Sequence, residues 1–290
     1  LTASEKENAY LFWGLRGGGG NFGVVTSFEY QAYPVGPEVT AGMVIHPMER
    51  APEVVEFFRE FSTEAPEELC CLLTLRLAPA APFLPKEVHG KPMVGIAVCH
   101  SGSLEDGERV VRPLKEFGNP LADIIAPKPF AVHQTLFDAA MAPGRHYYWK
   151  SEYMPEFPET AGGVLMDHAA KITSAHSSIL VFQLGGALTR FDETDTPAGN
   201  RNAAYVLNVA ASWEDPTQTD EQITWARGCW SDMQQFSTGG VNVNFLTGEE
   251  GAKRVHAAYG AVNYKRLVEL KNKYDPQNMF RLNQNIPPSV

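Results

Sequence analysis

The chain has 290 residues, 44% of them hydrophobic and 20% charged, with a formal net charge of -10 at pH 7. That composition excludes a disordered or fibrous protein and describes a globular one, long enough for one large domain or two smaller ones. The acidic balance argues against a nucleic-acid partner, because a phosphate backbone needs a basic footprint.

In chain order, LTASEKENAYLF lacks the basic start and apolar core of a signal peptide, and no later apolar run reaches membrane-spanning length. A functional-looking loop, RGGGGNFGVV (16–25), arrives almost at once, which reads as a piece of a longer protein. NFGVVTSFEYQAYP predicts a strand, punctuated by Pro34, Gly36 and Pro37, and TAGMVIHP predicts another. Residues 50–63 set Val54, Phe57, Phe58 and Phe61 on one helical stripe, and 71–78 and 92–102 read as strands. Ser103 with Asp106 marks a helix start, with Val110, Val111, Leu114 and Phe117 at helical spacing and a kink expected at Pro113. Residues 147–154 predict a strand and 159–173 a helix. SSILVFQLGGAL and YVLNVAASW predict strands, 219–237 a helix, VNVNFL a strand, and 249–274 helical pieces broken near Gly260. The order fits the α+β class, an antiparallel sheet with helices banked on one face.

Cys70, Cys71, Cys99 and Cys229 show neither a disulfide framework nor metal-ligand spacing, so a cytoplasmic setting and no metal are expected. The eight histidines form no i, i+4 pair, and no nucleophile elbow is present; His146, beside a predicted strand, is the one to watch.

Gly17 to Gly20 permit positive φ and let consecutive N–H groups converge on a ligand. The dinucleotide fingerprint needs a helix after the glycines, but a strand pattern follows, and no Lys-Ser/Thr makes a P-loop. A plain tight turn and a ligand-facing loop both stay open. At the other end, NYKRLVELKNKYDPQNMFRLNQNIPP (263–288) begins as an amphipathic helix on Leu267, Leu270 and Tyr274, closed by Asp275-Pro276. The amides of FRLNQNI then alternate with apolar residues, as donors and acceptors for the polar edge of a heterocycle would. On YYWKSEYM, Tyr148, Lys150 and Glu152 share one face while Tyr147, Trp149 and Tyr153 share the other. If the polar face looks at a cofactor, Tyr148 and Lys150 lead as catalytic residues; the alternative is an ordinary solvated Lys–Glu side.

LFWGLRGGGGNFGVVTSFEY and NYKRLVELKNKYDPQNMFRLNQNIPP together resemble the FAD-linked oxidase family of the berberine bridge enzyme type, and YYWKSEYM and YVLNVAASWEDP resemble its substrate domain. The resemblance implies the end of a PCMH-type FAD-binding domain at 1–37, a substrate-binding domain at 38–246 and a segment returning to the flavin at 247–290. It implies FAD lying along Gly19, Gly20, Asn21, Gly23 and Val25, with Asn244 and Asn283 near the isoalloxazine ring. The larger part of the FAD domain, with its attachment His and Cys, would precede residue 1 and would be required. Phe245 stands where many plant members carry a catalytic tyrosine, and Val206 where others carry a glutamate, so neither familiar base is present. The implied activity is hydride transfer from a small organic substrate to flavin, with dioxygen as the final acceptor. Two rivals stand beside it: a substrate-domain module that binds no flavin, and an enzyme whose glycine loop holds another phosphate ligand.

Overall fold

The computed structural model describes residues 1–282 and 284–289. Its elements, in order, are α1 (Ala9–Leu15), β1 (Glu38–Pro47), α2 (Ala51–Thr63), β2 (Leu69–Leu77), β3 (Pro92–His100), α3 (Leu104–Glu116), β4 (Ala122–Asp123), β5 (Ala126–Pro129), α4 (Phe130–His133), β6 (His146–Met154), α5 (Glu159–Ala169), β7 (Ser178–Gln183), β8 (Tyr205–Trp213), α6 (Thr219–Met233), α7 (Ala252–Tyr259) and α8 (Ala261–Tyr274).

The strands make one antiparallel sheet in the order β4-β1-β3-β2-β7-β8-β6, with β5 also on β1. Antiparallel ladders can bury one face and leave the other for a different purpose. Alternate strand residues (Leu73, Ile96, Val181, Leu207, Val209) meet Val54 and Phe58 of α2, Leu165 of α5 and Cys229 of α6 in the main core. Burial of each large side chain of this kind contributes roughly 1.5–3 kcal/mol, so the helices are held by that face. The expected cap is present: Ser103 Oγ accepts from the Asp106 amide at 3.1 Å, and α3 runs on through Pro113 to Glu116. The α2, α5 and α6 helices of that core leave the opposite face uncovered. Toward β1 and β3 it is covered by Leu84, Val88, Leu121 and Ile124, packed on Met43, Ile45, Leu72, Met93 and Ala97. No helix of the described residues is long and apolar enough to cross a membrane.

A second core joins the two ends of the chain. Leu11, Trp13 and Phe22 pack with Val255, Tyr259, Tyr264, Leu267, Leu270 and Ile286. The connection between β7 and β8 docks onto it: Trp13 Nε1 donates to Thr194 O at 2.9 Å, and Asn263 Nδ2 to Glu193 O at 2.6 Å.

Two predicted strands form differently. Residues 24–35 are extended but sit in no ladder, and Val24, Phe28, Tyr30 and Tyr33 are exposed. Strand propensity reflects packing against neighbours, and no described strand lies beside this one. VNVNFL is instead a turn at Val243–Phe245, where Asn242 Oδ1 accepts from the Asn244 amide at 3.0 Å and closes the backbone locally.

Candidate functional site

The four glycines divide into two pairs. α1 delivers the chain to them, with the Gly18 amide bonded to Gly14 O at 2.8 Å. A Cβ on Gly18 would stand 2.5 Å from Gly14 O and 2.9 Å from Leu267 Cδ2; one on Gly17, whose φ is +150°, would stand 2.9 Å from Ala198 N. This pair is glycine because α8 and the β7–β8 connection pack against it. Gly19, at φ +66°, and Gly20 are exposed, and a Cβ on Gly19 would meet nothing nearer than 3.7 Å. Among the described residues their two amides donate to no protein acceptor. Successive free N–H groups beside a left-handed residue form an anion- or acceptor-binding concavity.

Asn21 follows, 3% exposed, with its side chain fully engaged. Nδ2 donates to Gly18 O (2.9 Å) and Gln284 O (3.1 Å), and Oδ1 accepts from the Ile286 amide at 3.0 Å. Gln284 Nε2 in turn donates to Leu246 O at 2.9 Å. The glycine loop, the turn bearing Asn244 and the C-terminal tail therefore meet. Asn244 is exposed on that turn, and Gly23 and Val25 lie on the unpaired extended segment, with Val25 41% exposed. Asn283 lies outside the described residues.

Tyr148, Lys150 and Glu152 share a face, but the helix-covered one. Their partners on β8 are Ala211, Val209 and Leu207, all core residues. Tyr148 Oη donates to Glu249 and accepts from Arg227 Nε at 2.9 Å. Lys150 Nζ lies 2.7 Å from Glu250 and 2.9 Å from Glu249. Buried Glu152 accepts from Trp230 Nε1 (2.7 Å), Gln234 Nε2 (2.8 Å) and Ser237 Oγ (2.5 Å), and pairs with Arg254 at 2.8 Å. Three carboxylates thus balance Lys150, Arg227 and Arg254, the arrangement that lets buried charges persist. Burial alone would raise the Glu249 carboxyl, but the bonds from Tyr148, Lys150 and Arg227 draw it down to about 2. Burial likewise opposes charge on Lys150, yet its two glutamates hold the ammonium above the ordinary lysine value. The sequence-based candidates for catalysis are therefore partnered, under α6, and turned away from the helix-free side. His146 is exposed at the strand's start and stacks on Trp213, 5.6 Å between centroids.

On the helix-free face β6 presents Tyr147, Trp149, Ser151 and Tyr153, and β8 presents Val206, Asn208, Ala210 and Ser212. Tyr153 pairs across the strands with Val206, and its backbone joins 238–240 through Tyr153 N to Gly240 O (3.1 Å) and Thr238 N to Tyr153 O (2.9 Å). Burial raises its phenol pKa, with Arg201 lowering it and Glu193 adding to the rise. Asn208 is 3% exposed and its Oδ1 has no partner. Tyr153 and Asn208 were missed as site residues from sequence. The cue was the apolar run of β8 at odd positions, which fixes the helix-free side once the β6–β8 register is known.

Residues 241–287 match the family model described as berberine and berberine like. The chain is 28% identical to (R)-6-hydroxynicotine oxidase of Paenarthrobacter nicotinovorans, over 99% of the chain and 62% of that protein. It is 25% identical to an FAD-linked oxidoreductase of Dictyostelium discoideum, over 98% of the chain and 60% of that protein. Among solved structures it superposes on a variant of Physcomitrella patens BBE-like 1 with a TM-score of 0.82 at 18% identity, covering 100% of the chain and 63% of the other. It also superposes on 6-hydroxy-D-nicotine oxidase of Arthrobacter nicotinovorans with a TM-score of 0.77 at 23% identity, covering 99% and 63%. The chain spans about three fifths of the length of the curated relatives it matches. Its C-terminal segment matches that family model, and over nearly its whole length the chain is similar to FAD-linked oxidoreductases, with the fold of berberine bridge enzyme-like structures.

Proposed function

We propose that this chain contributes the substrate sheet and the closing wall of the flavin site in an FAD-dependent oxidoreductase. The observation that carries the reading is the meeting of glycine loop, Asn244 turn and C-terminal tail, with the Gly19 and Gly20 amides donating to no acceptor among the described residues. That donor set fits the neutral, acceptor-bearing edge of a flavin nucleotide, and an added Cβ on Gly17 or Gly18 would push the loop off its supports. In this reading 1–37 completes the flavin domain, 38–246 is the substrate domain and 247–290 returns to the flavin. The unpaired segment 24–35 joins a sheet of that flavin domain.

Bound FAD would supply the redox chemistry, taking a hydride from a substrate carbon and passing electrons to dioxygen. The protein's part is positional. Gly19 and Gly20 donate backbone N–H groups, with Gly23, Val25 and the exposed Asn244 beside them. Asn21 and Asn283 belong to the same wall, Asn21 through its backbone, because its side chain is committed to the tail. On the substrate side, Tyr147, Trp149 and Tyr153 give aromatic walls suited to a small organic molecule, and Asn208 offers an unpaired amide oxygen. Val206 and Phe245 cannot take a proton. Two phenols on that face can hold one; Tyr147 Oη is bonded to Ala142 O, which leaves Tyr153 Oη, opposite Val206, as the group assigned to it. With its pKa raised by burial it is protonated at neutral pH and donates a hydrogen bond to a substrate heteroatom. Tyr148 and Lys150 act here as tethers of the C-terminal module.

The test is to purify the complete protein that carries this chain and record its visible spectrum. Flavin absorbance that bleaches anaerobically with an oxidisable amine or alcohol and returns with air supports the reading. A colourless protein that takes up no added FAD supports the non-catalytic module, and uptake of a different nucleotide supports the third alternative.

A further inference from the structure

We propose that Lys271 is a positioning residue that fixes the distance between the glycine loop and the C-terminal tail, and so sets the width of the flavin-facing wall; this rests on the reading above. Lys271 is 0% exposed although it lies on α8, where a lysine would ordinarily reach water. Its ammonium has three N–H donors, and all three are used: Asn21 O at 2.9 Å, Asp275 Oδ2 at 2.6 Å and Phe280 O at 2.6 Å. One acceptor belongs to the glycine loop, one to the end of its own helix and one to the tail. Asp275 is used as fully, Oδ1 accepting from the Met279 amide at 2.8 Å and Oδ2 from the Phe280 amide at 2.9 Å. The tail is thereby folded back against the lysine that holds the loop.

Asn21 completes the junction from the other side. Its carbonyl takes the Lys271 bond while its side chain holds Gln284 O and the Ile286 amide. Loop residue and tail are thus cross-linked twice, once through a buried charge and once through an amide. A buried lysine is a costly way to join two segments, since an apolar residue could fill the same space. What it adds is direction: a fixed ammonium donates only to acceptors at hydrogen-bond distance, so loop and tail cannot slide past one another as apolar surfaces can. The Gly19 and Gly20 amides, without an acceptor among the described residues, sit two and one residues before Asn21 and inherit that fixed position.

The experiment compares wild type, Lys271→Met and Asn21→Ala in the complete protein. Backbone hydrogen exchange at Met279, Phe280 and Ile286 reads the clamp with or without flavin. FAD titration and the shape of the flavin absorption band read its consequence. The expected result is faster tail exchange in both variants and FAD binding weakened at least about tenfold, the scale of one lost hydrogen bond to a charged group. The flavin band in whatever holoenzyme forms is expected to shift, which loss of stability alone would not cause. Asn21→Ala keeps the ion pair and guards against Lys271→Met failing to fold. If wild type binds FAD and no folded variant differs from it in affinity, spectrum or tail exchange, the inference is wrong while the flavin reading stands. A wild-type protein that binds no flavin overturns both.

Discussion

Replacing Gly18 and Gly20 separately by alanine tests whether the glycine loop is half packing and half ligand surface. A methyl on Gly18 would lie 2.5 Å from Gly14 O, 2.7 Å from the Phe22 ring and 2.9 Å from Leu267 Cδ2. The first is backbone inside a hydrogen-bonded turn and cannot rotate away, so loop and α8 must separate. Overpacking of this kind costs about 1–3 kcal/mol. In a protein of this size each kcal/mol lowers the melting temperature by about 2–4 °C, so a fall of roughly 2–12 °C is expected for Gly18→Ala. Gly20 is exposed and has no positive φ, so an alanine there meets no backbone strain. There the change is neutral or stabilises by about 0.4–1 kcal/mol through the unfolded chain. Circular dichroism melts of the flavin-free complete protein, followed by FAD titration of each variant, separate the two effects. Gly18→Ala should melt early; Gly20→Ala should melt normally yet bind FAD more weakly. A Gly20→Ala protein with full FAD affinity would refute the ligand half, and an undisturbed Gly18→Ala melt the packing half.

Lys150→Met should be destabilised by about 1.5–3 kcal/mol, the scale of a hydrogen bond to a charged group, because it removes one of the two cations paired with the buried Glu250 carboxylate, Arg254 remaining at 3.1 Å; urea unfolding measures this, and a loss under about 0.5 kcal/mol (the low end of an ordinary hydrogen bond) would contradict the tether role. Tyr153→Phe should keep FAD binding but slow anaerobic flavin reduction by roughly a hundredfold or more, the low end of general acid–base effects, whereas Tyr148→Phe should leave that rate unchanged; the opposite ranking in stopped-flow would return Tyr148 to the site. Glu249 and Asp275 are both depressed to about 2 from ordinary values of 4.5 and 3.8, in each case by hydrogen bonds and a lysine acting against burial. The stability they contribute is complete above about pH 4.5 and is lost as pH falls toward 2, so proteolytic release of the C-terminal module should begin inside that window and not near neutrality. Phe28, 66% exposed on the unpaired segment, should drive self-association of the isolated chain; Phe28→Lys should reduce its light scattering but destabilise the complete protein, where that segment is to be paired.

Periodicity was enough for α2 and α3, because their stripes of Val54 with Phe58 and Val111 with Leu114 face a single core and the capping Ser103 is local. It failed for residues 24–35, which have the composition of a strand but no ladder; pairing is a property of two segments, and composition reports on one. The same limit explains the site. Alternation correctly grouped Tyr148, Lys150 and Glu152, yet two faces remained, and polarity singled out the one that α6 covers. The deciding facts were non-local: β6 pairs with β8 so that Lys150 stands opposite Val209, and Glu249 and Glu250, themselves paired with Arg227 and Arg254, converge on it from more than seventy residues away. A buried polar face needs partners, and single-sequence patterning cannot see partners at that distance. The end motifs were legible for the opposite reason. Gly17 and Gly18 answer to Ala198 N and Gly14 O, Asn21 to Ile286 and Lys271 to Phe280, so each residue's type is set by a specific backbone contact. Contacts of that kind tolerate few side chains, which is why two short stretches at opposite ends carry the resemblance, while the substrate face, built from tolerant cross-strand pairs, does not name its substrate.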